Sequence, residues 1–506
     1  MDYLRLFSTE NEYDLTVEDF EYPTVSYVTD TDKVYYMEKP PYDYSKDYLT
    51  FEALEDGTFT LSVPANVDST YMTSISYSTD NGETWNRTNN TSSDVTITTS
   101  TIAAGNKVLW KGVGRQTAKS ISSYNASIFS ATGNFNVYGN IMSLLNGDNF
   151  ANQTTFKSGS TYNFASLFRG NTNLISAENL ILPVTTLTSN CYSDMFYGCT
   201  SLTIPPALPA TTLAYECYSE MFYATNVLPD CSNIDFTSST VIASSGLRAL
   251  FKGTKVTYND LMGILPKDGN NKPCLPVDIL TERCYVAMFS ECTSLTTAPE
   301  LPATTLASYC YQNMFYHCTA LTVPPELPAT TLAAGCYTQM FEGCTSLATA
   351  PVLPAETMVT GCYYGMFRSC AMTTAPALPA MTLASTCYNA MFSGCTSLTT
   401  PPALPATTLA TQCYGSMFYE CKALTTAPEL PATTLVSKCY QYMFYGCSKL
   451  NYIKAMFTTT PSTSYTQNWV QGVASTGTFI KNSAATWNVT GSNGIPTGWT
   501  VETASA

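Results

Sequence analysis

The sequence predicts a repeat solenoid, each 26-residue unit a short helix plus a short parallel strand, preceded by a small β-sandwich domain. Three observations lead there. Cys-Tyr recurs at Cys191, Cys217, Cys284, Cys310, Cys336, Cys362, Cys387, Cys413 and Cys439, in steps of 26 residues apart from one of 25 and one long gap after 217. Met-Phe follows four residues after each of these cysteines, and a second cysteine follows after eight in all but one unit, where Thr225 stands instead. A fixed period of this kind marks stacked supersecondary units, none of which can bury its apolar face alone. Finally, the 506 residues exceed what one compact core usually organises.

The chain divides into four parts. Residues 1–47 form an acidic, Tyr-rich attachment segment, with Tyr22 to Val28 read as a short extended piece. Residues 1–56 hold 15 acidic and 4 basic side chains, so −11 of the net −15 lies there. Residues 48–138 show β patterning. Phe59, Leu61 and Val63 alternate after an Asp56-Gly57 turn, Ile75 and Tyr77 alternate before Asn81-Gly82, and Val108, Leu109 and Trp110 follow. Residues 139–457 are the solenoid, and 458–506 a C-terminal β cap. Leu144-Leu145, Leu167-Phe168, Leu250-Phe251 and Met456-Phe457 stand in for Met-Phe in degenerate units, as terminal repeats must cap an open core. Roughly 13 rungs at a strand spacing of ~4.8 Å predict a stack about 60 Å long.

Within one unit Leu306, Cys310, Met314 and Cys318 fall at i, i+4, i+8 and i+12, the apolar stripe of a short helix, with Thr304 or Thr305 as its N-cap. Leu321 to Pro324 is extended, and Pro-x-Leu-Pro turns the chain, because proline fixes φ and keeps the preceding residue out of the helical region. The expected inward core is therefore Cys310, Met314, Phe315, Cys318 and Leu321.

The Met-Phe-x-x-Cys-Thr-Ser-Leu-Thr-x-x-Pro pattern resembles the BspA-type (Treponema-type) leucine-rich repeats of bacterial surface proteins, especially of gut Bacteroidetes, over about residues 140 to 460. The resemblance implies a leucine-rich-repeat-like unit and a non-catalytic role in adhesion to host or bacterial surfaces. Ser78 to Trp85 is similar to the Asp-box of sialidases. There the resemblance implies a structural turn, with Asp80 and Gly82 shaping it and Trp85 packing beneath, and no catalytic part.

All 19 cysteines lie between 191 and 447. Eight residues of helix span about 12 Å, too far for a disulfide within a unit, which needs Cα atoms within ~7 Å. Pairing between rungs remains open, but it leaves odd members, and reduced cysteine ladders packing as small hydrophobes are favoured. Cys231 and Cys274, outside the register, are the candidates for a separate disulfide. No metal or other cofactor is expected, since the cysteine spacing is not that of a zinc site and His317 is the sole histidine.

The position after Met-Phe varies, and five of its nine occupants are Tyr197, Tyr223, Tyr316, Tyr419 and Tyr445. Such a broken aromatic stripe suits recognition of glycan or protein, or it simply covers neighbouring rungs; both stand open. The positions before Cys-Tyr vary too, as at Tyr215-Glu216, Ser308-Tyr309 and Ser437-Lys438.

An acidic chain without a Lys/Arg run lacks the patch that nucleic-acid binding needs. No run of 18 apolar residues predicts a membrane span. One histidine gives no Ser-His-Asp set, and no motif places a carboxylate pair. The expectation is a non-enzymatic binding protein whose partner is a host-cell surface glycan or protein. The start lacks a basic region followed by an apolar stretch, so export by the usual route is not expected. Together with the acidic leader this suggests a bacteriophage virion fibre or capsid decoration, a member from a Bacteroidetes phage, docked to other virion proteins through residues 1–47. A bacterial cell-surface adhesin, a glycan hydrolase carrying the repeats and a purely structural spacer are the alternatives. A homo-oligomer is open, with no trimerisation element in view.

Overall fold

The computed structural model describes residues 24–28, 33–37, 43–65, 72–89, 93–115, 117–118, 126–210, 212–225, 245–265, 267–275 and 280–504. Two compact units divide it, Met1–Tyr44 and Ser45–Ala506. In the first, strands β1 (Thr24–Val28) and β2 (Lys33–Met37) pair antiparallel, Thr24 opposite Met37. The extended piece expected at 22–28 is thus a strand over its described residues.

The second unit begins with two facing sheets. Its strands are β3 (Leu49–Ala53), β4 (Phe59–Val63), β5 (Ser74–Ser78), β6 (Asn86–Asn89), β7 (Val95–Thr98), β8 (Lys107–Val113), β9 (Ile128–Ala131) and β10 (Phe135–Asn140). The larger sheet runs β10-β3-β8-β5-β6 and the smaller β7-β4-β9. Alternation decides which side chains meet between them: Phe59, Leu61 and Val63 of β4 are buried, as are Val108 and Trp110 of β8. Phe51 of β3 meets Phe59 at 5.3 Å and Phe129 of β9 at 4.7 Å, so aromatic edges bind the two sheets together.

No domain break separates these sheets from the repeats. Beyond the short helix α1 (Ser143–Asn146), strands β11 (Leu174–Ser176) and β12 (Leu180–Ile181) pair parallel with β10, extending the larger sheet. The ring of Phe129 stacks on Phe168 at 5.7 Å and Phe168 on Phe196 at 5.5 Å. One hydrophobic core therefore runs from Leu49 to Trp499. The rung below Leu167-Phe168 is β9, whose Phe129 N–H donates to the Leu167 carbonyl, not Leu144-Leu145, which lie in α1 and pack on β8.

The helix expected in each repeat is absent. In its place stands a coil of turns with a left-handed residue at every fourth position: Tyr309, Asn313 and His317 have φ of 56°, 56° and 55°. Alternate N–H groups take alternate routes. Those of Cys310, Gln312, Met314, Tyr316 and Cys318 donate three residues back, at 3.0–3.3 Å. Those of Tyr309, Tyr311, Asn313, Phe315 and His317 donate to Ala334, Cys336, Thr338, Met340 and Glu342 of the next rung, at 2.7–3.0 Å. An α-helix directs every N–H along its own axis and cannot bond to a neighbour this way. The tetrad turns two side chains inward and two outward, so Cys310, Tyr311, Met314, Phe315 and Cys318 are buried, as is Leu321 beyond them. The expected parallel strands are reduced to single bridges, such as Thr297 with Val323 and Thr305 with Thr331.

Inward residues form ladders. Tyr285, Tyr311, Tyr337, Tyr363, Tyr388, Tyr414 and Tyr440 stack at 5.8–6.1 Å, and the phenylalanines from Phe289 to Phe444 at 5.6–6.0 Å. Eighteen cysteines are buried free thiols, Cys274 among them. The Cys231 to Cys274 pairing falls outside the described residues at Cys231. The second cysteine of each unit ties its rung to the one before. Cys318 Sγ donates to the Phe289 carbonyl at 2.9 Å, and Cys344 to that of Phe315 at 3.0 Å. Thr225, where the pattern lacks a cysteine, donates to Phe222 at 2.9 Å, and Thr254 to Phe251 at 2.8 Å.

One degenerate rung carries a second helix, α2 (Tyr258–Ile264), started by a Thr257–Asp260 capping box. At the far end Met456-Phe457 is out of the Met-Phe register, for Met456 N–H donates to the Leu430 carbonyl. Trp469 occupies the place above Phe444, whose N–H it accepts at 2.8 Å. The chain from 458 onward extends the stack through the short helix α3 (Thr463–Thr466). Beside it β13 (Tyr452–Ala455), β14 (Thr478–Lys481) and β15 (Thr500–Thr503) form a parallel sheet. The indole N–H groups of Trp469, Trp487 and Trp499 donate to Gly494, Phe457 and Ala474 and fasten this end.

Candidate binding surface

Outward positions repeat as columns along the stack, and the column after Met-Phe is the candidate surface. Inter-rung bonds fix its backbone: Gly198 N–H donates to Tyr223 O at 2.9 Å, Glu291 to Tyr316 at 2.6 Å, Gly394 to Tyr419 at 2.7 Å and Glu420 to Tyr445 at 2.6 Å. Tyr197, Tyr223, Tyr316, Tyr419 and Tyr445 all lie on this column, each half-buried.

Their surroundings divide them into three groups. Tyr197 and Tyr223 meet at 4.6 Å with their rings tilted by 32°, with the Arg169 guanidinium 3.8 Å from the first ring and Lys252 4.9 Å from the second. Both cations sit on the same column, one after Leu167-Phe168 and one after Leu250-Phe251, so the same register in the sequence marks them once residues other than tyrosine are counted. Cations on both outer faces consume the stacking capacity of this pair and leave the ring edges to solvent. Tyr316 packs against His317 at 4.3 Å, between Ser290 and Glu342 along the column. Tyr419 and Tyr445 stack at 4.8 Å and 3°, with Tyr442 edge-on to Tyr445 at 6.1 Å. Buried serines occur in the column at Ser290 and Ser393, before Tyr316 and Tyr419.

Acidic residues accompany the cations. Arg169 pairs with Asp194, Lys252 with Glu291 at 3.5 Å, Arg368 with Glu342 at 3.4 Å and Arg248 with Glu220 at 3.0 Å. Burial pushes the Asp194 carboxyl up to about 7, against the pull of Arg169 and with a further push from Glu220.

The Asp-box builds a turn. Asn81 and Gly82 have φ of 57° and 93°. Asp80 accepts from Ser78 Oγ at 2.6 Å, from Thr84 N–H at 2.9 Å and from Thr84 Oγ1 at 2.5 Å, and the Trp85 indole donates to Gly82 O at 3.1 Å. The hydrogen bonds from Ser78 and Thr84 hold the Asp80 carboxyl down at about 2. With both its oxygens engaged in the turn, Asp80 is fully employed where it stands. Lys111 lies 3.8 Å over Trp85 and pairs with Asp148 at 2.7 Å, and Tyr48 adds its hydroxyl to the same carboxylate at 2.7 Å.

Among the described residues no group of His, Cys, Asp and Glu is arranged to hold a metal ion, and no helix is long and apolar enough to cross a membrane.

Comparison with known proteins identifies the repeats. The family model of the BspA type leucine rich repeat region (6 copies) matches residues 282–399 and 367–467. The resemblance read from Met-Phe-x-x-Cys thus holds for that stretch. Repeats of this type are typically non-catalytic and belong to proteins that are generally surface or extracellular. No curated protein and no solved structure matches the chain.

Proposed function

We propose, from the premise that residues 282–467 are BspA-type leucine-rich repeats, that this chain is a non-catalytic adhesion protein presenting its outward columns to a glycan or protein on a host-cell surface. One observation carries this. Identical ladders and inter-rung hydrogen bonds hold the backbone, while the column from Arg169 to Tyr445 changes residue from rung to rung. Half-exposed tyrosines on a fixed frame give amphipathic contact area at low entropic cost. Among the described residues, no cation lies over the stacked pair Tyr419–Tyr445 or the ring of Tyr316 in this column.

Binding of the whole chain to host cells and to a glycan array tests the proposal. The double variant Tyr316→Ala, Tyr419→Ala should bind at least tenfold more weakly, at an unchanged melting temperature. Equal binding by parent and variant, or a blank with both, removes the adhesive role of this column and leaves a spacer.

Display on a bacteriophage virion, as a fibre or capsid decoration, is the further part of the proposal. Support comes from charge: residues 1–56 concentrate −11 of the −15, suited to docking on a basic surface of a particle. Particles assembled with a chain lacking residues 1–47 should lose the protein; full incorporation would exclude the docking role.

A further inference from the structure

The outward face changes character along the stack. Over the first rungs the column after Met-Phe and the left-handed corner beside it hold Arg169, Lys252, Asp194 and Glu220, each tied in an ion pair. Over the last three rungs the same two columns hold no charge. Glu420 N–H to Tyr445 O at 2.6 Å and Gly446 N–H to Gln471 O at 2.8 Å align Tyr419, Tyr445 and Gln471. Ser416 N–H to Gln441 O at 2.7 Å and Tyr442 N–H to Gln467 O at 2.8 Å align the corners Ser416, Tyr442 and Asn468 beside them. Gln441 and Gln467 stand next across, joined Nε2 to Oε1 at 2.7 Å.

Rings and amides make up this block. Tyr419 and Tyr445 lie parallel, and Tyr442 meets Tyr445 edge-on. Among the described residues no other ring and no cation meets Tyr419, and the column position before it is the short Ser393. An aromatic face with a polar tip suits a pyranose, which has an apolar C–H face and a rim of hydroxyls. A primary amide donates and accepts at once, as a hydroxyl does. The bond between Gln441 and Gln467 leaves the carbonyl of the first and the amide nitrogen of the second unspent. Charges stand at the rim, where Glu420 pairs with Lys422 at 3.1 Å and Lys438 occupies the corner before Gln441. The block itself has no guanidinium fork for a carboxylate or sulfate, so an ionic ligand would give up hydration there without a counter-charge. Three rungs at a strand spacing of ~4.8 Å span about 10 Å, wider than one pyranose.

We propose that this block takes an uncharged oligosaccharide, one pyranose lying against Tyr419 while hydroxyls of the next meet the amides of Gln441, Gln467 and Gln471. This rests on the adhesive reading of the tyrosine column and narrows its ligand to a neutral glycan held at the C-terminal end of the stack.

An array of hexose and N-acetylhexosamine oligosaccharides, each beside the sialylated and the sulfated form of the same core, tests this with the whole chain. At least one neutral oligosaccharide should bind saturably, with its sialylated and sulfated forms bound more weakly. Gln441→Leu keeps the bulk and removes the amide, and should weaken the neutral ligand about fivefold or more. Tyr316→Ala alone should leave it unchanged. If Gln441→Leu loses the parent's melting transition, Gln471→Leu, at an exposed position, decides. Binding to host cells before and after periodate oxidation of their glycans separates this inference from the reading beneath it. Cell binding that survives periodate and falls in the Tyr316→Ala, Tyr419→Ala variant keeps the adhesive column and overturns the neutral glycan. A blank on cells with neutral oligosaccharides still bound on the array removes the host-cell reading and leaves this site standing. A blank array, acidic forms bound as tightly as the neutral core or more so, or neutral binding unchanged in the folded leucine variants overturns the proposal.

Discussion

Cys344 is where the contribution of the cysteine ladder can be measured. Its thiol is fully buried and donates to the Phe315 carbonyl at 3.0 Å; burial pushes it up to about 12, so it stays a protonated donor. Phe315 O also accepts the Cys318 N–H at 3.1 Å and is not orphaned when the thiol is removed. The loss therefore belongs at the low end of the net value of a hydrogen bond, about 0.5–1 kcal/mol. Cys344→Ala also vacates the space of one sulfur atom, adding ~1 kcal/mol for a methyl-sized void, about 2 kcal/mol in all. Cys344→Val loses the donor and brings one heavy atom more than the thiol into a fully buried place, so lost bond and overpacking together cost about 2 kcal/mol. Cys344→Thr keeps a donor but turns it within its own rung: the hydroxyls of Thr225 and Thr254 reach Phe222 and Phe251, three residues back, at 2.8–2.9 Å, and the equivalent carbonyl for residue 344 is that of Phe341. Its cost should be about 0.5–1 kcal/mol, the inter-rung bond lost with the hydroxyl still satisfied.

Urea unfolding followed by circular dichroism should place the Thr variant nearest the parent and the Val and Ala variants below it, fitted with nearest-neighbour coupling because repeat arrays depart from two-state behaviour. A reductant should leave the parent midpoint where it is, since the ladder holds free thiols. A Thr variant as weak as the Ala variant, or a Val variant equal to the parent, would refute the donor role. A midpoint lowered by reductant would show instead that cross-links hold the rungs.

Two further predictions follow from corner geometry and from burial. At the left-handed corners Gly198 and Ala224 occupy one column with φ of 71° and 55°, and a Cβ added at Gly198 meets nothing nearer than 3.8 Å. Gly198→Ala should thus cost about 1 kcal/mol of backbone strain alone, while Ala224→Gly should gain up to ~0.5 kcal/mol after its entropy cost, both read from urea midpoints. Asp194 has a folded pKa of about 7, raised above its unfolded value near 3.9. The folded state holds this proton more tightly, so its contribution to stability is present below pH ~4 and is lost as pH rises through 7. Melting temperatures of Asp194→Asn should fall less than the parent's between pH 4 and 8; parallel curves would contradict the burial argument.

Which residues face inward was legible from the repeat, and the backbone that turns them inward was not. Cys310, Met314, Phe315, Cys318 and Leu321 are buried as their spacing requires, yet no α-helix carries them. Four residues of α-helix advance about 400°, so Leu306, Cys310, Met314 and Cys318 would drift by ~120° across the stripe. A strict period of four, never three, was the visible sign of a four-residue turn. Leu144-Leu145 and Met456-Phe457 look like rungs by residue type and fail by register, because hydrogen bonds to the neighbouring rung decide the register and leave no trace in composition. The tyrosine column was legible as variation at one position. Its cover by Arg169 and Lys252 follows from the same register, since Leu167-Phe168 and Leu250-Phe251 stand in for Met-Phe, but it shows only when the column is followed through residues other than tyrosine.

Corner residues carry the backbone strain of the repeat. Each left-handed corner disfavours a side chain by roughly 1–2 kcal/mol, and glycine fills many of them, including Gly343, Gly365, Gly394 and Gly446. Other rungs keep Glu216, Arg283, His317, Glu420 and Lys438 at equivalent corners with φ of 49° to 59°. These side chains point out of the core, so inward packing offers no return for the strain. Neighbouring rungs show that glycine satisfies the same hydrogen bonds, since Gly394 donates to the next rung at 2.7 Å as His317 does. Contacts along the surface offset part of this strain: His317 packs against Tyr316 and covers Gly343 of the next rung, Glu420 pairs with Lys422 at 3.1 Å and covers Gly446, and Arg283 bonds Glu282 at 3.3 Å, so a bare glycine corner lies beside a side-chain corner that shelters it.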